Sequence, residues 1–514
     1  MTRFSRWVRL REGVLRAAGQ SAELRRARRL KPVPDASIRR AGKEQTVAVL
    51  TPRSWAYHAN LEAIVHKTLL SHGAQVVHYT CGGGRQYCDR VHIHDFGPPP
   101  CGTCKHLNSK TLSAHGIRPI ELQDGTPTGS DDLNEKSLEE LLDYECDGIP
   151  IGQLVSTSVR WFLCSENLAS DPLSLGFLRA AIREGRLFVR QLTARIETDR
   201  PDVIFMLNGQ FFFERLATYC AEQEGIRVVT YERGYDKGSV FVSDDFPASR
   251  YDTTRVWPQV MDRTLDPHQN AQLETYLTDR MYGRRSIANF WPDPDFTPRN
   301  DDFSVLLTNV VWDTAAQNRG ACYPDQRTWL VDVVSWYGNH PDHRLVVRVH
   351  PAEVRVANAT SRESAADIVR GVAGMPFPNV EIIEANDPQS SYPLIEGSRL
   401  VHVFASTVGL EAAIRGKPCL VAGDAQFAFK GFTFEPSDPD AYRASCAEFL
   451  RLPPPVNVDR ARNFAYFFFF EAQARLDDVI REPRAGLVRL GTPEAFRASV
   501  REGTLGDIAS KILG

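Results

Sequence analysis

Residues 400–423 have the sequence LVHVFASTVGLEAAIRGKPCLVAG. The apolar run Leu400–Phe404 predicts a buried strand, and Val408–Arg415 has the composition of a helix that Gly416 ends. A second apolar run, Pro418–Val421, predicts the next strand. Strands joined by helical crossovers pair in parallel and carry helices on both faces, so this stretch predicts an α/β domain.

The same alternation extends along most of the chain. In the second half, strands are predicted at Ser304–Thr308, Arg344–Val349 and Val380–Ile383, with helices at Gln326–Tyr337 and Tyr392–Glu396. In the first half, strand–helix–strand units are predicted at 46–79 and 202–231. Right-handed crossovers would wind both halves into Rossmann-like, doubly wound domains.

The predicted domain bounds follow these patterns. Residues 1–44 form a basic N-terminal arm, and 45–290 form a Rossmann-like domain with a Cys-rich loop at 81–104. Residues 300–455 form the second Rossmann-like domain, and we expect helices in 456–514 to pack back on the first.

Composition restricts the class of protein. The 514 residues are 42% hydrophobic and 24% charged, with a formal net charge of −3, which is ordinary for a globular protein and does not favour a nucleic-acid partner. No apolar run approaches the ~20 residues that span a bilayer, and no secretory signal is evident. We therefore expect a cytoplasmic protein.

The N-terminal arm has its own charge pattern. Residues 1–44 hold thirteen Lys or Arg against four acidic residues, with apolar residues at roughly helical spacing. One interpretation is peripheral association with the inner membrane surface, and the other is a solvated arm or packing helix.

Polar residues follow two of the predicted strands of the second half. Arg348 and His350 close one strand before Pro351, and Ser406 and Thr407 follow another. Because ligands bind beyond the carboxyl ends of strands in open α/β sheets, these residues are candidates for binding a phosphate. The alternatives are a turn histidine and ordinary helix capping.

Further candidates for the same cleft lie nearby. Gly409 allows close approach of a ligand or of neighbouring backbone, and Glu411 could accept hydrogen bonds from a ribose or a sugar. Lys430, in the loop KGFTFEP, is expected to line the cleft.

The motifs VHPAE (349–353) and STVGLEAAIRGKPCLVAG (406–423) resemble the capsule polysaccharide biosynthesis family, which includes bacterial Kdo transferases and is related to transferases that use CMP-sialic acid. The segments LLTNVVWD (306–313) and KGFTFEP (430–436) also look familial. The resemblance implies two domains facing each other across a cleft (GT-B) and an inverting transferase that needs no metal for catalysis. It also implies that His350, Ser406 and Thr407 hold the nucleotide and phosphate of a CMP- or UDP-linked sugar.

The relatives place a general base after a strand of the first domain. The analogous stretch here is Tyr231-Glu232-Arg233-Gly234, in which Arg233 replaces a residue that is usually acidic. Glu232 is the first candidate base and Asp236 the second, with a surface ion pair as the alternative for Glu232. Asn208 could bind the acceptor, or simply form an Asn-Gly turn.

Four cysteines are spaced in a pattern that suits a metal. Cys81, Cys88, Cys101 and Cys104 could supply four thiolates to a structural zinc ion, and four unliganded thiols are the alternative.

The sequence thus predicts transfer of a sugar from a nucleotide-activated donor to a carbohydrate or lipid-linked acceptor in surface polysaccharide biosynthesis. Two alternatives remain open: a sugar-nucleotide epimerase with the same fold, and a non-catalytic polysaccharide assembly or export factor.

Overall fold

The computed structural model describes residues 45–91, 99–122, 131–245, 247–284, 295–299, 301–313, 317–355, 361–484 and 487–514. The basic N-terminal arm, and with it the predicted membrane contact, lies outside these residues.

The strands of the described residues follow in chain order: β1 (Thr46–Thr51), β2 (Gln75–Cys81), β3 (Ile120–Leu122), β4 (Val203–Leu207), β5 (Arg227–Arg233), β6 (Ser239–Ser243), β7 (Ser304–Leu307), β8 (Leu345–Arg348), β9 (Val380–Ile383), β10 (Leu400–Val403), β11 (Cys419–Val421), β12 (Ala474–Arg475), β13 (Ile480–Arg484) and β14 (Leu487–Leu490).

The α-helices follow in the same way: α1 (Ala56–Ser71), α2 (Cys101–Ala114), α3 (Leu138–Leu142), α4 (Ile151–Leu163), α5 (Pro172–Asp199), α6 (Phe212–Gln223), α7 (Pro267–Met281), α8 (Gln326–Gly338), α9 (Ala352–Arg355), α10 (Ala365–Arg370), α11 (Ser391–Gly397), α12 (Val408–Ile414), α13 (Pro439–Arg451), α14 (Val458–Tyr466), α15 (Pro493–Glu502) and α16 (Thr504–Leu513). None of the described helices is both long and apolar enough to cross a membrane.

The chain divides into two compact units. Unit 1 comprises the chain up to Phe162, together with Leu168–Ser249 and Gln473–Gly514, and unit 2 comprises Leu163–Asn167 and Arg250–Ala472. The chain therefore enters unit 2 earlier than the predicted boundary at 290–300, and it returns to unit 1 later than the predicted start at 456.

Unit 1 is built on a seven-stranded sheet in the order β12-β6-β5-β4-β1-β2-β3. The five neighbouring strands β5, β4, β1, β2 and β3 are parallel. Strand β6 pairs with β5 in antiparallel orientation, and β12 pairs with β6 in the same way. One core cluster of unit 1 joins the sheet, α1 and the C-terminal helices, with buried members that include Val49, Ile64, Phe205, Leu505 and Ile508. Apolar side chains on one face of α15 and α16 explain why this segment packs on the sheet.

Unit 2 is built on a five-stranded parallel sheet in the order β11-β10-β7-β8-β9. The side chains of β7, β8, β10 and β11 are all buried, as expected for parallel strands covered on both faces. The order reverses at β7, whose neighbours are β8 on one side and β10 on the other. The predicted α/β class with two Rossmann-like, doubly wound domains is confirmed, while the facing of the domains across a cleft stays a prediction.

A buried ion triad fixes the loop after β1. The Arg53 guanidinium donates to Asp89 Oδ1 at 3.0 Å and also pairs with Glu214, and all three side chains are almost fully buried. Asp89 in turn accepts the backbone N–H of Phe212 at 2.9 Å, at the start of α6. Arg53 therefore joins three segments of unit 1 and holds the loop in place.

Replacing Asp89 with alanine should destabilise unit 1 strongly, because Arg53 and the Phe212 N–H would lose an acceptor in a buried site. Removing one partner of a buried ion pair typically costs about 3–5 kcal/mol in the free energy of unfolding. Urea denaturation measures this loss.

The matched control is Glu121→Gln, which opens the exposed pair between Lys105 Nζ and Glu121 at 2.8 Å. That change should cost about 1 kcal/mol or less. Equal losses for the two variants would contradict the role given to the triad.

Candidate functional site

The strand order places one edge of the unit 2 sheet at a topological switch point. Ligands of doubly wound domains bind where the strand order reverses, beyond the carboxyl ends of the strands. In unit 2 this point is the end of β7, between the ends of β8 and β10. His350 follows β8, and Ser406 and Thr407 follow β10, so the sheet brings the predicted motifs to either side of β7.

The residues after β7 bind both motifs. Thr308 Oγ1 accepts the backbone N–H of His350 at 3.0 Å, and Asn309 Oδ1 accepts the backbone N–H of Ala405 at 3.2 Å. Gln326, at the start of α8, holds Asn309 through its main-chain N–H and C=O at 3.0 and 3.2 Å. The chain after β7 therefore sets the positions of the segments on both sides.

The tautomer of His350 follows from its local contact. The backbone N–H of Ala352 donates to His350 Nδ1 at 3.1 Å, so the neutral ring carries its hydrogen on Nε2. Burial, reinforced by the nearby Arg348 charge, lowers the pKa of His350 to about 4. The side chain is half-buried and neutral near pH 7, where Nε2–H is a hydrogen-bond donor.

Ser406 and Thr407 lie at the start of α12, and both are half-buried. Thr407 is the N-cap residue but makes no side-chain cap bond, and its hydroxyl accepts from Gln426 Nε2 at 3.1 Å. No described residue hydrogen-bonds to the Ser406 hydroxyl. Ordinary capping by these two side chains therefore does not account for their presence.

The prediction that Arg348 binds the donor is corrected. Its guanidinium is buried and donates to three main-chain oxygens, those of Val349, Glu384 and Asp387. The distances to the Val349 and Asp387 oxygens are both 3.0 Å. Arg348 therefore ties the loop after β9 to the end of β8.

Glu411 is also occupied within the protein. Its Oε1 accepts from Arg280 Nη2 at 3.0 Å, and its Oε2 accepts from the Tyr392 hydroxyl at 2.6 Å. The side chain is 2% exposed, which leaves little room for a sugar. The predicted contact with a ribose or sugar is therefore replaced by a link from α12 to α7 and α11.

Gly409 serves packing. A Cβ atom at this position would lie 2.8 Å from Phe427 Cζ, 2.9 Å from Val403 Cγ2 and 3.2 Å from Cys419 Sγ. The two shorter distances are closer than side chains tolerate, so glycine lets α12 approach the sheet. Of the two reasons considered for Gly409, the structure favours close packing with protein.

Lys430 is largely buried and donates to the Thr254 hydroxyl at 3.0 Å. Burial lowers the pKa of its amino group. The contact ties the loop after β11 to the segment before α7, and its predicted place in a donor cleft stays a prediction.

In unit 1, the carboxyl edge of the sheet carries Asn208 and Glu232. Asn208 Nδ2 donates to Glu232 Oε2 at 2.9 Å, while Asn208 Oδ1 accepts the N–H of Gln210 at the same distance. Glu232 Oε1 accepts the N–H of Arg233 at 2.7 Å. Asn208 is 2% exposed and Glu232 half-buried, so Asn208 orients the carboxylate rather than presenting its own amide.

The two charged neighbours of Glu232 are engaged elsewhere. Arg233 Nη1 pairs with Glu482 at 2.5 Å, and its guanidinium lies 4.3 Å from the Tyr57 ring centre. Asp236 is 6% exposed and accepts from Arg475 Nη1 at 2.8 Å. This ion pair makes Asp236 a poor candidate for the base, and Glu232 remains the carboxylate candidate.

The four cysteines proposed as zinc ligands have other contacts in the structure, and their zinc site stays a prediction. Among the described residues, no group of three or more His, Cys, Asp or Glu side chains is arranged to hold a metal ion. The sulfur atoms instead accept backbone N–H groups: Cys81 from Gly83 at 3.4 Å, Cys88 from Arg90 at 3.4 Å and Cys104 from Ser54 at 3.3 Å. Cys101 and Cys104 lie in the first turn of α2, and all four thiols are free.

Sequence reasoning assigned no role to Thr308, Asn309 or Gln326. The first two belong to LLTNVVWD, which was noted only as familial. Two polar residues directly after a predicted central strand are a usable signal, because the switch point lies there. The bond from Gln326 joins residues 17 positions apart and could not be read from local spacing.

Several solved structures are similar to this chain at low sequence identity. The β-Kdo 2,7 and 2,4 transferases of Thermosulfurimonas dismutans KpsC are similar at 15% and 16% identity, over 60% of this chain and 88% and 87% of theirs, with TM-scores of 0.34 and 0.35. The UDP-GlcNAc 2-epimerase of Neisseria meningitidis is similar at 13% identity over 91% of this chain and 99% of its own, with a TM-score of 0.24. A search of curated proteins found no match.

A protein-family model matches the part of the chain that carries the motifs. Residues 263–445 match the family model described as capsule polysaccharide biosynthesis protein, and this range contains β7 to β11, His350, Ser406 and Thr407. This match covers about a third of the chain, and it confirms the resemblance found in its motifs.

Proposed function

We propose that this protein is a glycosyltransferase of capsule polysaccharide biosynthesis, moving a sugar from a nucleotide-activated donor to a carbohydrate or lipid-linked acceptor. The observation that carries the proposal is the arrangement at β7, where Thr308 and Asn309 hold the His350 and Ala405 segments beside each other. The family match over residues 263–445 supports the same conclusion.

The donor phosphate would bind between these two segments. Adjacent strands are about 4.8 Å apart, so the ends of β8 and β10 are separated by roughly 10 Å, a span that a sugar-nucleotide phosphate can bridge. His350 Nε2–H and the Ser406 hydroxyl would each donate to a phosphate oxygen. Fixed donors of this kind stabilise the negative charge that grows on the leaving nucleotide as the sugar–oxygen bond breaks.

The acceptor would bind at unit 1. Glu232, held by Asn208, offers a carboxylate that can accept a hydrogen bond from a sugar hydroxyl. In an inverting transfer that oxygen attacks the anomeric carbon directly, and its proton must pass to a protein group.

The finer part of this proposal is that the transfer inverts the anomeric centre, needs no metal and uses a CMP- or UDP-linked donor. It also includes peripheral membrane association through the basic N-terminus.

A thermal-shift screen against CMP, UDP, GDP and dTDP tests the donor site. The cognate nucleotide should raise Tm, because a ligand that binds only the folded state stabilises it, by about 2.7 kcal/mol at a hundred times its Kd. His350→Ala should abolish the shift, since it removes the Nε2–H donor.

The matched control is His340→Ala, because His340 is exposed on the loop that leads into β8, at the opposite edge of the sheet. Its nucleotide shift should equal that of the wild type. An unchanged shift in His350→Ala would contradict the site, and no shift with any of the four nucleotides would contradict the proposed function.

Replacing Ser406 with alanine should lower kcat by about 10²–10³, the usual cost of losing one fixed donor to a developing oxyanion. Nucleotide release from UDP-GlcNAc and from a CMP-linked sugar measures the effect. Ser335→Ala is the control, because the Ser335 hydroxyl bonds only to the Val331 carbonyl of its own helix at 2.7 Å. Wild-type turnover in Ser406→Ala would exclude the assigned role.

A further inference from the structure

A chain of three side chains runs through unit 1 beside Glu232. The Tyr231 hydroxyl donates to Glu62 Oε1 at 2.8 Å. The Tyr231 hydroxyl oxygen also lies 3.1 Å from His58 Nδ1. Tyr231 is the last buried residue of β5, and His58 and Glu62 lie one turn apart on α1. The three residues come from two elements that meet at the carboxyl edge of the sheet.

The directions of these hydrogen bonds fix the state of the imidazole. When Glu62 is ionised it can only accept, so the single phenol hydrogen of Tyr231 is then given to the Glu62 carboxylate. Tyr231 must therefore accept from His58, which places the His58 hydrogen on Nδ1 and leaves a lone pair on Nε2. The imidazole is thus oriented with an acceptor nitrogen at its outer end.

The second ring nitrogen of His58, Nε2, makes no hydrogen bond within the described part of the protein. No described residue hydrogen-bonds to His58 Nε2, and this atom is not among the fully buried polar atoms that lack a partner. The ring is half-buried and packs against Trp55 and Tyr231, with ring centres 5.8 Å apart in each case. Its position is held by packing, while Nε2 remains within reach of a small group from outside.

We propose that His58 is a catalytic residue of the transfer reaction and accepts the proton of the acceptor hydroxyl through Nε2, with Tyr231 and Glu62 as positioning residues. This assignment rests on the proposed function and names the proton acceptor that function requires. Glu232 then binds the acceptor hydroxyl, and both its carboxylate oxygens already accept hydrogen bonds from protein groups.

In the proposed transfer one bond forms, one bond breaks and one proton moves to His58. The acceptor oxygen forms the new bond to the anomeric carbon, and the bond from that carbon to the phosphate oxygen breaks with its electron pair on the nucleotide. The hydroxyl proton moves to His58 Nε2. The Nδ1 hydrogen shifts towards Tyr231 and the Tyr231 hydrogen towards Glu62, and reversal of these shifts returns one proton to water after the products leave.

The electrostatic surroundings determine the protonation states of His58 and Glu62. Burial, reinforced by the charges of Arg233 and Arg53, lowers the pKa of His58 to about 3, so the ring is neutral and its lone pair available. Burial raises the pKa of Glu62 to about 8, against the hydrogen bonds from Thr51 and Tyr231 that lower it. Glu62 is therefore ionised mainly above about pH 8, where its carboxylate accepts the Tyr231 hydrogen at the inner end of the chain.

The hydrogen positions can be tested without any substrate. The ¹⁵N NMR spectrum of His58 at about pH 9, where Glu62 is ionised, should show a protonated Nδ1 and a bare Nε2, with the signals assigned by their loss in His58→Ala. Tyr231→Phe should change the His58 signals, because the acceptor of the Nδ1 hydrogen is lost. A protonated Nε2 in the wild type would overturn the proposal whatever the protein's activity.

Turnover tests the catalytic role. With UDP-GlcNAc and a CMP-linked sugar as donors, His58→Ala should lower kcat by about 10²–10⁴, the range of general base catalysis, and leave the nucleotide-induced rise in Tm unchanged. Free imidazole should restore part of the lost rate. Tyr231→Phe and Glu62→Gln should lower kcat with little change in KM for the donor.

The matched control is His106→Ala, because His106 is exposed on α2 of the same unit, and its kcat should equal that of the wild type. Wild-type kcat in His58→Ala, or a loss confined to Glu232→Gln, would overturn the assignment to His58. A wild-type protein that binds no nucleotide contradicts the proposed function instead, and the NMR result still decides the state of His58.

Discussion

The two hydrogen bonds made by the chain after β7 determine the geometry of the candidate donor site. Thr308 Oγ1 and Asn309 Oδ1 accept main-chain N–H groups from the segments that follow β8 and β10. Both segments are loops, and a parallel sheet by itself fixes only the strands that lead into them. With these bonds, the His350 ring and the Ser406 hydroxyl are held by the same central strand. A phosphate bound between them would meet donors that need little rearrangement, which is the condition for electrostatic catalysis.

Buried arginines have a different task in this fold. Arg53, Arg280 and Arg348 are each largely buried. The guanidinium of each binds carboxylates or main-chain oxygens of its own unit. A buried charge is costly unless hydrogen bonds or ion pairs compensate it, so the partners of these arginines fix loops and helices. The candidate phosphate-binding side chains of unit 2, His350, Ser406 and Thr407, are neutral near pH 7. A phosphate would therefore bind there through hydrogen bonds rather than through a salt bridge with Arg348.

The fold was largely predictable from the sequence, because apolar strands and their crossovers are local patterns. Leu400–Val403 and Val408–Ile414 form the strand and helix that residues 400–423 indicate. The roles of single polar residues were less predictable, since they depend on distant partners. Arg280 reaches Glu411 across 131 positions, and no spacing rule anticipates that contact. The contacts of the cysteines were unpredictable for a related reason: Cys101 and Cys104 begin a helix, and Cys104 accepts the N–H of the distant Ser54.

The two histidines of the candidate sites show how partners decide chemistry. His350 and His58 are both half-buried, and burial lowers the pKa of each, so both rings are neutral near pH 7. At His350 a backbone N–H occupies Nδ1, which leaves the hydrogen on Nε2 for donation. At His58, once Glu62 is ionised, the Tyr231 oxygen requires the hydrogen on Nδ1, which leaves a lone pair on Nε2. The proposed transfer needs one donor for the leaving phosphate and one acceptor for the incoming hydroxyl, and these opposite tautomers would supply one of each.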